Sequence, residues 1–403
     1  QLYRVLSELT GTSFPWGSLT GIRPTIVAAE CGYDAKLLAD MYFVEISKAK
    51  LASETAVTEH KLIGNMPSDK PHLYFSIPVC PSKCEYCSFP TSLYNSIENQ
   101  LEGYVDTMKE EIRYFSSSIG RDPGSIYVGG GTPTVLPDLL FEKLLFSIAD
   151  GFDISRIPEF SVEAGRPETI TLSKIKIMQK YGVTRVCVNP QTFNEETLML
   201  IGRTHSSQDV FNAFRELRSA GFCAINMDLI AGLGKETTAD FLRSLETAVK
   251  MKPENITLHS LSLKRTSIMK KRFSESPVIN PVIDFFSGAG DIAEMLKDGY
   301  NTLASNSYRP YYMYRQKYTP GGNENTGYSL AGHECLYNCA MMGDRHTVIG
   351  FGAKSITKKV KSAEGRSKID RFHEPADIIS YIRGSADIFR KKRDFLYESA
   401  RDI

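Results

Sequence analysis

The sequence predicts an α/β fold centred on an incomplete barrel of six parallel strand and helix units, a partial (β/α)6 barrel. Three observations predict it. Between about residues 69 and 266, short apolar runs alternate with amphipathic helical patterns, which is the rhythm of a parallel sheet with crossover helices. That rhythm counts six units, short of the eight of a closed barrel. The polar and glycine-rich motifs of the same stretch all fall where strands end, the place at which parallel α/β proteins gather their chemistry. At 403 residues the chain exceeds one simple core. It divides by pattern into an N-terminal helical segment (1–68), the βα stretch (69–266) and a C-terminal mixed α/β segment (267–403) expected to cover the substrate.

In the first segment, Phe14–Thr25 is punctuated by Pro and Gly and reads as turns, and Ile26–Ala52 has helix-compatible spacing broken at Gly32. Trp16 and Arg23 are expected either to serve packing and a surface ion pair or to cap the mouth of the next domain. Leu73–Ile77 is the first strand, with helix Ile97–Ser117 after it. Ser125–Val128 and helix Pro137–Ala149 form the second unit, Phe160–Glu163 and helix Thr171–Tyr181 the third. Arg185–Val188 leads to the helices Glu195–Ile201 and Ser207–Ala220. Ala224–Ile230 precedes helix Thr238–Lys250, and Ile256–Leu261 is the sixth strand. Beyond about Thr266 the rhythm stops. Pro281–Asp298 reads as a helix, Tyr308–Tyr318 as an aromatic and basic strand, Gly321–Gly332 as a loop and Thr347–Ser355 as a short strand, with two helices expected to close the chain.

Composition excludes several classes. Apolar residues make up 42% and charged residues 24%, the balance of a globular chain. With 48 basic and 47 acidic residues the net charge is +1, so no nucleic acid partner is expected. The basic run Arg390–Arg393 is expected to be a solvated face of the last helix. No apolar run reaches the roughly 18 residues of a membrane span. The chain begins at Gln1 rather than Met, which we read as a piece of a longer protein whose upstream part could carry a targeting signal or a further domain. Eight cysteines in 403 residues are too sparse for a disulfide framework and point to a reducing, cytoplasmic setting.

Three of those cysteines carry the strongest signal. Cys80, Cys84 and Cys87 stand at C-x3-C-x2-C directly after the first strand, with Tyr86 before the last. Three thiolates at this spacing can hold three irons of a cubane 4Fe-4S cluster and leave the fourth open. A closed zinc site needs a fourth ligand, and no His or further Cys lies close in sequence. Gly129–Thr134 (GGGTPT) follows the second strand, and successive glycines admit close backbone approach and expose amides, which would suit the two ends of an amino acid. It lacks the Lys of a phosphate loop. Glu163, Gln191, Arg203 and Asp228 follow at successive strand ends. A carboxylate there could accept an ammonium, Arg203 could clamp a carboxylate, and Asp228 could bond ribose hydroxyls. Cys335 and Cys339 are expected to be packed thiols, since two ligands do not make a metal site, and His333 and His346 take no assigned role.

Taken together, Tyr74–Phe89 (YFSIPVCPSKCEYCSF), GGGTPT, VEAGRP, NPQTFNEETL, IGRTH and NMDLIAGL resemble the radical S-adenosylmethionine (SAM) family of oxygen-independent coproporphyrinogen III oxidases. LTGIRPT at Leu19–Thr25 and the YRQK, NENTGY and HECLYN stretches resemble its HemZ-type branch. The resemblance covers essentially the whole chain. It implies a 4Fe-4S cluster on Cys80, Cys84 and Cys87, and SAM held by Gly130, Gly131, Thr132, Glu163, Gln191, Arg203, Asp228 and Ile230, with Tyr74 beside it. It departs from the decarboxylating relatives at Phe89, where they carry a fourth Cys, and at Ser76, where they carry His. The implied activity is anaerobic oxidative decarboxylation of coproporphyrinogen III to protoporphyrinogen IX, with a donor such as flavodoxin or ferredoxin, and Arg309, Arg315 and Lys317 as candidates for propionate recognition. Two alternative readings of the chain stand beside it: a haem-binding chaperone or trafficking protein of the same fold, and a radical SAM enzyme acting on haem itself.

Overall fold

The structure, a computed structural model, describes residues 2–21, 23–67, 69–262, 267–268, 289–316, 319, 322–363 and 366–397. The expected segment edge at 266, the first eight residues of the expected helix (281–288), Lys317, Tyr318 and Gly321 lie outside the described residues.

Four helices open the chain: α1 (Leu2–Thr10), α2 (Pro24–Glu30), α3 (Ala35–Tyr42) and α4 (Ile46–Asn65). Pro24 starts α2, where its missing N–H costs no hydrogen bond, and the Asp34 carboxylate caps α3 by accepting from the amides of Lys36 and Leu37. The βα stretch follows as β1 (His72–Ile77), β2 (Val79–Cys80), β3 (Ser92–Leu93), α5 (Tyr94–Ile97), α6 (Leu101–Ile119), β4 (Ser125–Gly130), α7 (Asp138–Gly151), β5 (Phe160–Glu163), α8 (Leu172–Lys180), β6 (Arg185–Cys187), α9 (Glu195–Leu200), α10 (Ser207–Ser219), β7 (Ile225–Ala231), α11 (Thr238–Met251) and β8 (Asn255–Ser260). The remainder is α12 (Ala289–Ser305), β9 (Arg309–Arg315), β10 (Glu324–Ser329), α13 (Leu336–Met342), β11 (Val348–Phe351), β12 (Ile356–Ala363), β13 (Arg366–His373) and α14 (Ile378–Tyr397).

One eleven-stranded sheet has the order β13-β12-β11-β1-β4-β5-β6-β7-β8-β10-β9. The six expected strands, β1 and β4 to β8, are neighbours and parallel, as an incomplete barrel requires. Later strands extend both ends: β11 joins β1 in parallel, while β10 pairs antiparallel with β8. Within each strand the pleat alternates. Val128, Val162, Val186, Met227 and Leu258 are buried in the main core, and the intervening Tyr127, Glu163, Cys187, Asp228 and His259 line one cavity. A period of two therefore puts a polar or reactive side chain from each of five strands into the interior.

Helix α13 fills the concave side. Tyr337 stacks on Tyr127 at 4.3 Å between ring centres and on Tyr74 at 5.8 Å. Both helix ends are clamped: Glu159 accepts from the amides of Leu336 and Tyr337, and Lys358 on β12 donates to the carbonyls of Ala340, Met341 and Gly343. Each charge opposes the helix dipole end it meets. Cys335 and Cys339 are buried here, with Cys335 Sγ donating to Glu159 at 3.2 Å and Cys339 Sγ reaching the Tyr311 carbonyl at 3.6 Å. They are packed thiols.

Three expectations are corrected. The Gly321–Gly332 loop contains strand β10, all of whose residues are buried between β8 and β9; its polar Glu-Asn-Thr-Gly composition gives no strand signal, and tertiary pairing overrides it. The two closing helices are a hairpin, β12 and β13, followed by the single helix α14. Arg390–Arg393 is not wholly solvated: Lys392 is 0% exposed and pairs with Glu111 and Glu374, so α14 is pinned to α6 through a buried charge.

Candidate functional site

The cysteine loop leaves β1 through β2 and is bolted down by two arginines from later loops. Arg166, after β5, is 3% exposed; its Nη1 donates to Cys84 Sγ at 3.2 Å and its Nη2 donates to Ser82 Oγ. Glu168 accepts from Arg166 Nε at 3.0 Å. Burial works against charge on that carboxyl, but His205 and Arg166 outweigh it and hold Glu168 down to about 2. Arg203, after α9, is 8% exposed. Its Nη1 donates to the carbonyls of Gly165 (2.8 Å) and Asn189 (2.9 Å), and its Nη2 to Tyr86 Oη at 3.2 Å. Tyr86, the aromatic before the third cysteine, thereby ties the ligand loop to the ends of β5 and β6.

None of the three thiols is in a disulfide. Burial pushes Cys80 up, against hydrogen bonds from Thr132 and Thr91, and pushes Cys87 up to about 11. Metal coordination is what would deprotonate them. Cys80, Cys84 and Cys87 act electrostatically on one another, yet among the described residues no three His, Cys, Asp or Glu side chains converge on a point that could hold a single ion.

The glycine loop lies against the same segment. Gly130 has φ +110°, and a Cβ on Gly131 would strike the Val79 backbone. The amides expected to face a ligand are donated instead to that backbone, Gly131 N to Ile77 O at 2.8 Å and Thr132 N to Val79 O at 2.7 Å. Thr132 Oγ1 lies 3.7 Å from Cys80 Sγ. The glycines thus bring β4's end into contact with the cysteine strand.

A cavity of about 360 Å³ opens between these loops. Cys80, Cys84, Cys87, Gly130, Gly131, Thr132, Glu163, Gln191, Arg203, Asp228 and Ile230 all line it. Tyr74 does not; it stacks behind Tyr127 at 6.2 Å. Arg309 and Arg315 are also away from the cavity. Arg309 donates to the Ala304 and Tyr308 carbonyls, and Arg315 to those of Leu19 and Gly322. Trp16 and Arg23 serve packing and ion pairing, Trp16 Nε1 donating to Glu324 at 3.0 Å and Arg23 pairing with Asp344.

Six side-chain atoms of cavity-lining residues are buried without a hydrogen-bond partner among the described residues: Arg185 Nε, Asn189 Oδ1, Gln191 Oε1, Arg203 Nε, Ser260 Oγ and Ser262 Oγ. Buried polar groups ordinarily find partners; of these six, Gln191 Oε1 could accept from a ligand's donor and Arg203 Nε could donate to an anionic group. Gln191 is held there by strained backbone, φ +68°, with its amide donating to Asp228 O and its carbonyl accepting from Ile230 N. Glu163 accepts from Tyr127 Oη at 2.6 Å; burial, with Asp228 nearby, pushes it up to about 7. Asp228 stays below the usual carboxylate range, because His259, Asn226 and Thr257 outweigh burial. Arg166, Tyr127 and His259 are site residues to which the sequence assigns no role, although Arg166 stands within the VEAGRP motif. The period-two alternation along β4 and β8 could have found Tyr127 and His259; Arg166 is marked by VEAGRP, but its thiol partner lies 82 residues away in sequence, and the motif does not reveal that contact.

A sequence profile of the Radical SAM superfamily matches residues 74–248. The oxygen-independent coproporphyrinogen-III oxidase-like protein HemZ of Bacillus subtilis (strain 168) is 35% identical over 398 residues, covering 94% of this chain and 76% of its own length. The heme chaperone HemW of Lactococcus lactis subsp. lactis (strain IL1403) is 31% identical over 280 residues, 70% of this chain and 67% of its own. Among solved structures, the coproporphyrinogen III oxidase HemN from Escherichia coli, described as a radical SAM enzyme, matches at TM-score 0.61 over 83% of this chain and 73% of that one, at 18% identity, which shows a shared fold. On its fold and on the HemZ similarity along nearly its whole length, the chain belongs to the oxygen-independent coproporphyrinogen-III oxidase-like family of the Radical SAM superfamily, whose cofactors are a 4Fe-4S cluster and SAM.

Proposed function

We propose that the chain is a radical SAM enzyme that converts coproporphyrinogen III to protoporphyrinogen IX by oxidative decarboxylation of propionate side chains in anaerobic haem biosynthesis. The observation that carries the cofactor part is the unpartnered pair Arg203 Nε and Gln191 Oε1 in the same cavity as the three cysteines. Cys80, Cys84 and Cys87 would each bind one iron. Arg203 would offer Nε and the free edge of Nη2 to the methionyl carboxylate, a bidentate, charge-assisted contact. Glu163 and Gln191 would meet the ammonium end beside Gly130, Gly131 and Thr132, Asp228 would accept from ribose hydroxyls, and Ile230 would supply an apolar wall. Tyr74 would support the pocket from behind Tyr127.

Held by these residues, the cluster and SAM would supply a 5′-deoxyadenosyl radical for hydrogen abstraction at the propionate β-carbon, and the vinyl group would form with loss of carbon dioxide and of one electron to an electron acceptor. The protein orients and encloses: the cavity is of the size of one cofactor-scale ligand, so the tetrapyrrole would lie across its mouth, under a covering segment formed from residues 267–403, with 1–68 and 69–266 as the other two units. A donor such as flavodoxin or ferredoxin would reduce the cluster, in the cytoplasm. The second reading is a haem-binding chaperone on the same fold, favoured by the relatives named heme chaperone HemW. One anaerobic experiment separates them. The reconstituted, reduced protein is given SAM and coproporphyrinogen III and the products are weighed by mass spectrometry. Loss of carbon dioxide supports the enzyme; SAM cleavage with unchanged coproporphyrinogen III overturns it, and stoichiometric haem binding without product then supports the chaperone.

A further inference from the structure

We propose that His259 is a positioning residue that keeps Asp228 ionised, so that SAM binding at neutral pH depends on a residue that need not touch SAM. The proposal rests on the cofactor-pocket reading above.

The hydrogen-bond network fixes the ring's protons. Asn325, on β10, has its Oδ1 3.1 Å from the backbone N–H of Ser260, which can only donate. The amide orientation is therefore set, and the same oxygen lies 3.2 Å from His259 Nδ1. That nitrogen must carry a proton. The opposite nitrogen, Nε2, faces Asp228 Oδ2 at 3.7 Å. A neutral ring with a proton on Nδ1 would turn a lone pair toward a carboxylate, which is repulsive; an imidazolium turns an N–H toward it. The pair is thus an ion pair spanning β7 and β8, in which Ile230 is the register partner of His259 and Asp228 lies on the same face.

The surroundings give this pair consequences. Around it stand Glu163 on β5, Cys187 on β6, and Tyr312 and Tyr314 on β9. Burial pushes the Cys187 thiol and both phenols up, so near neutrality they are uncharged. Glu163 and Asp228 are then two carboxylates in one low-dielectric pocket, the arrangement that drives one of them to hold a proton. Burial alone would neutralise His259, but Asp228, Asn325 and Glu163 together raise it above its ordinary value. The imidazolium returns the effect to Asp228, whose second oxygen accepts from Asn226 Nδ2 at 2.8 Å. Without the imidazolium, burial beside Glu163 would favour the protonated form of Asp228, which has less acceptor capacity for a ribose.

The test measures SAM binding, not turnover, on the anaerobically reconstituted full chain between about pH 6.5 and pH 8.5, for wild type, His259→Gln and Asp228→Asn. The side-chain amide introduced by H259Q can still donate to Asn325 but carries no charge. For H259Q we expect SAM affinity about tenfold weaker at the acid end and recovering toward wild type at the alkaline end, a shift of about one pH unit in the profile. D228N should bind weakly at every pH. An H259Q profile parallel to wild type overturns the proposal while leaving the pocket assignment standing; D228N binding as wild type overturns the pocket assignment itself. Nitrogen-15 NMR of labelled histidine in the apo chain gives a second readout should H259Q fold poorly. A doubly protonated His259 at about pH 7 that loses a proton in D228N supports the proposal, and a neutral ring at that pH refutes it.

Discussion

Replacing Arg203 by Lys separates the structural work of this side chain from its proposed ligand contact. The guanidinium spends Nη1 on the Gly165 and Asn189 carbonyls and one edge of Nη2 on Tyr86, while Nε stays buried and unpartnered. A lysine Nζ has three donors at one point: two can serve the carbonyls, but the one that remains cannot reproduce a planar bidentate contact with a carboxylate. The fold should therefore survive. Losing the neutral bond to Tyr86 costs about 0.5–1.5 kcal/mol. Losing charge-assisted contact to the methionyl carboxylate costs about 1.5–3 kcal/mol, or roughly 10- to 150-fold in Kd. Alanine is the poorer choice, because it strands two buried carbonyls at about 1–3 kcal/mol each and confuses the two effects. The assay is thermal unfolding without SAM, paired with an anaerobic SAM titration. A folded R203K chain that binds SAM within about threefold of wild type would show that Arg203 only bolts the loops.

The other predictions follow from the same contacts. Cys84→Ala should abolish the brown absorbance of the reconstituted cluster; a full cluster in that variant would refute the ligand assignment. Arg166→Gln removes a positive charge and an N–H to S bond from Cys84, so the cluster's midpoint potential should fall by tens of millivolts, where about 59 mV is a factor of ten for one electron; an EPR-monitored redox titration with no shift would exclude a role for Arg166 at the cluster. Glu163 is raised to about 7 in the fold, so its contribution to apo stability is fully present below the unfolded value of about 4.3 and is lost as pH rises through 7. Glu163→Gln should thus raise the melting temperature clearly at about pH 8 and little at about pH 5, while weakening SAM; equal shifts at both would be inconsistent with a buried carboxylate. Lys392→Met leaves Glu111 and Glu374 together in the interior and should destabilise by about 3–5 kcal/mol, read by denaturant unfolding; a change under about 1 kcal/mol would mean the carboxyls adapt by taking up protons.

Most of the site was legible because its chemistry is local along the chain. The cysteine spacing, the glycine turn and one polar residue at each strand end are short-range patterns, and the helix and strand periods that order them are set by backbone geometry. The sequence alone therefore determined six parallel strands, the ligand loop and, with Ile230 added by the family resemblance, eleven residues that line one cavity. Tertiary structure decided what depends on partners far away. Strand β10 exists because β8 and β9 satisfy its backbone, not because its residues favour extension. Lys392 is buried because Glu111, 281 residues earlier, meets it, whereas an isolated RKKR run belongs in water. The charge state of Asp228 is fixed by His259 and, through Asn325, by a strand the sequence presents as a loop. Hydrophobic period and ligand spacing are written in neighbouring residues. Pairing at sheet edges and the ionisation of buried groups depend on the field and bonds of whatever packs against them, which only the folded chain brings together.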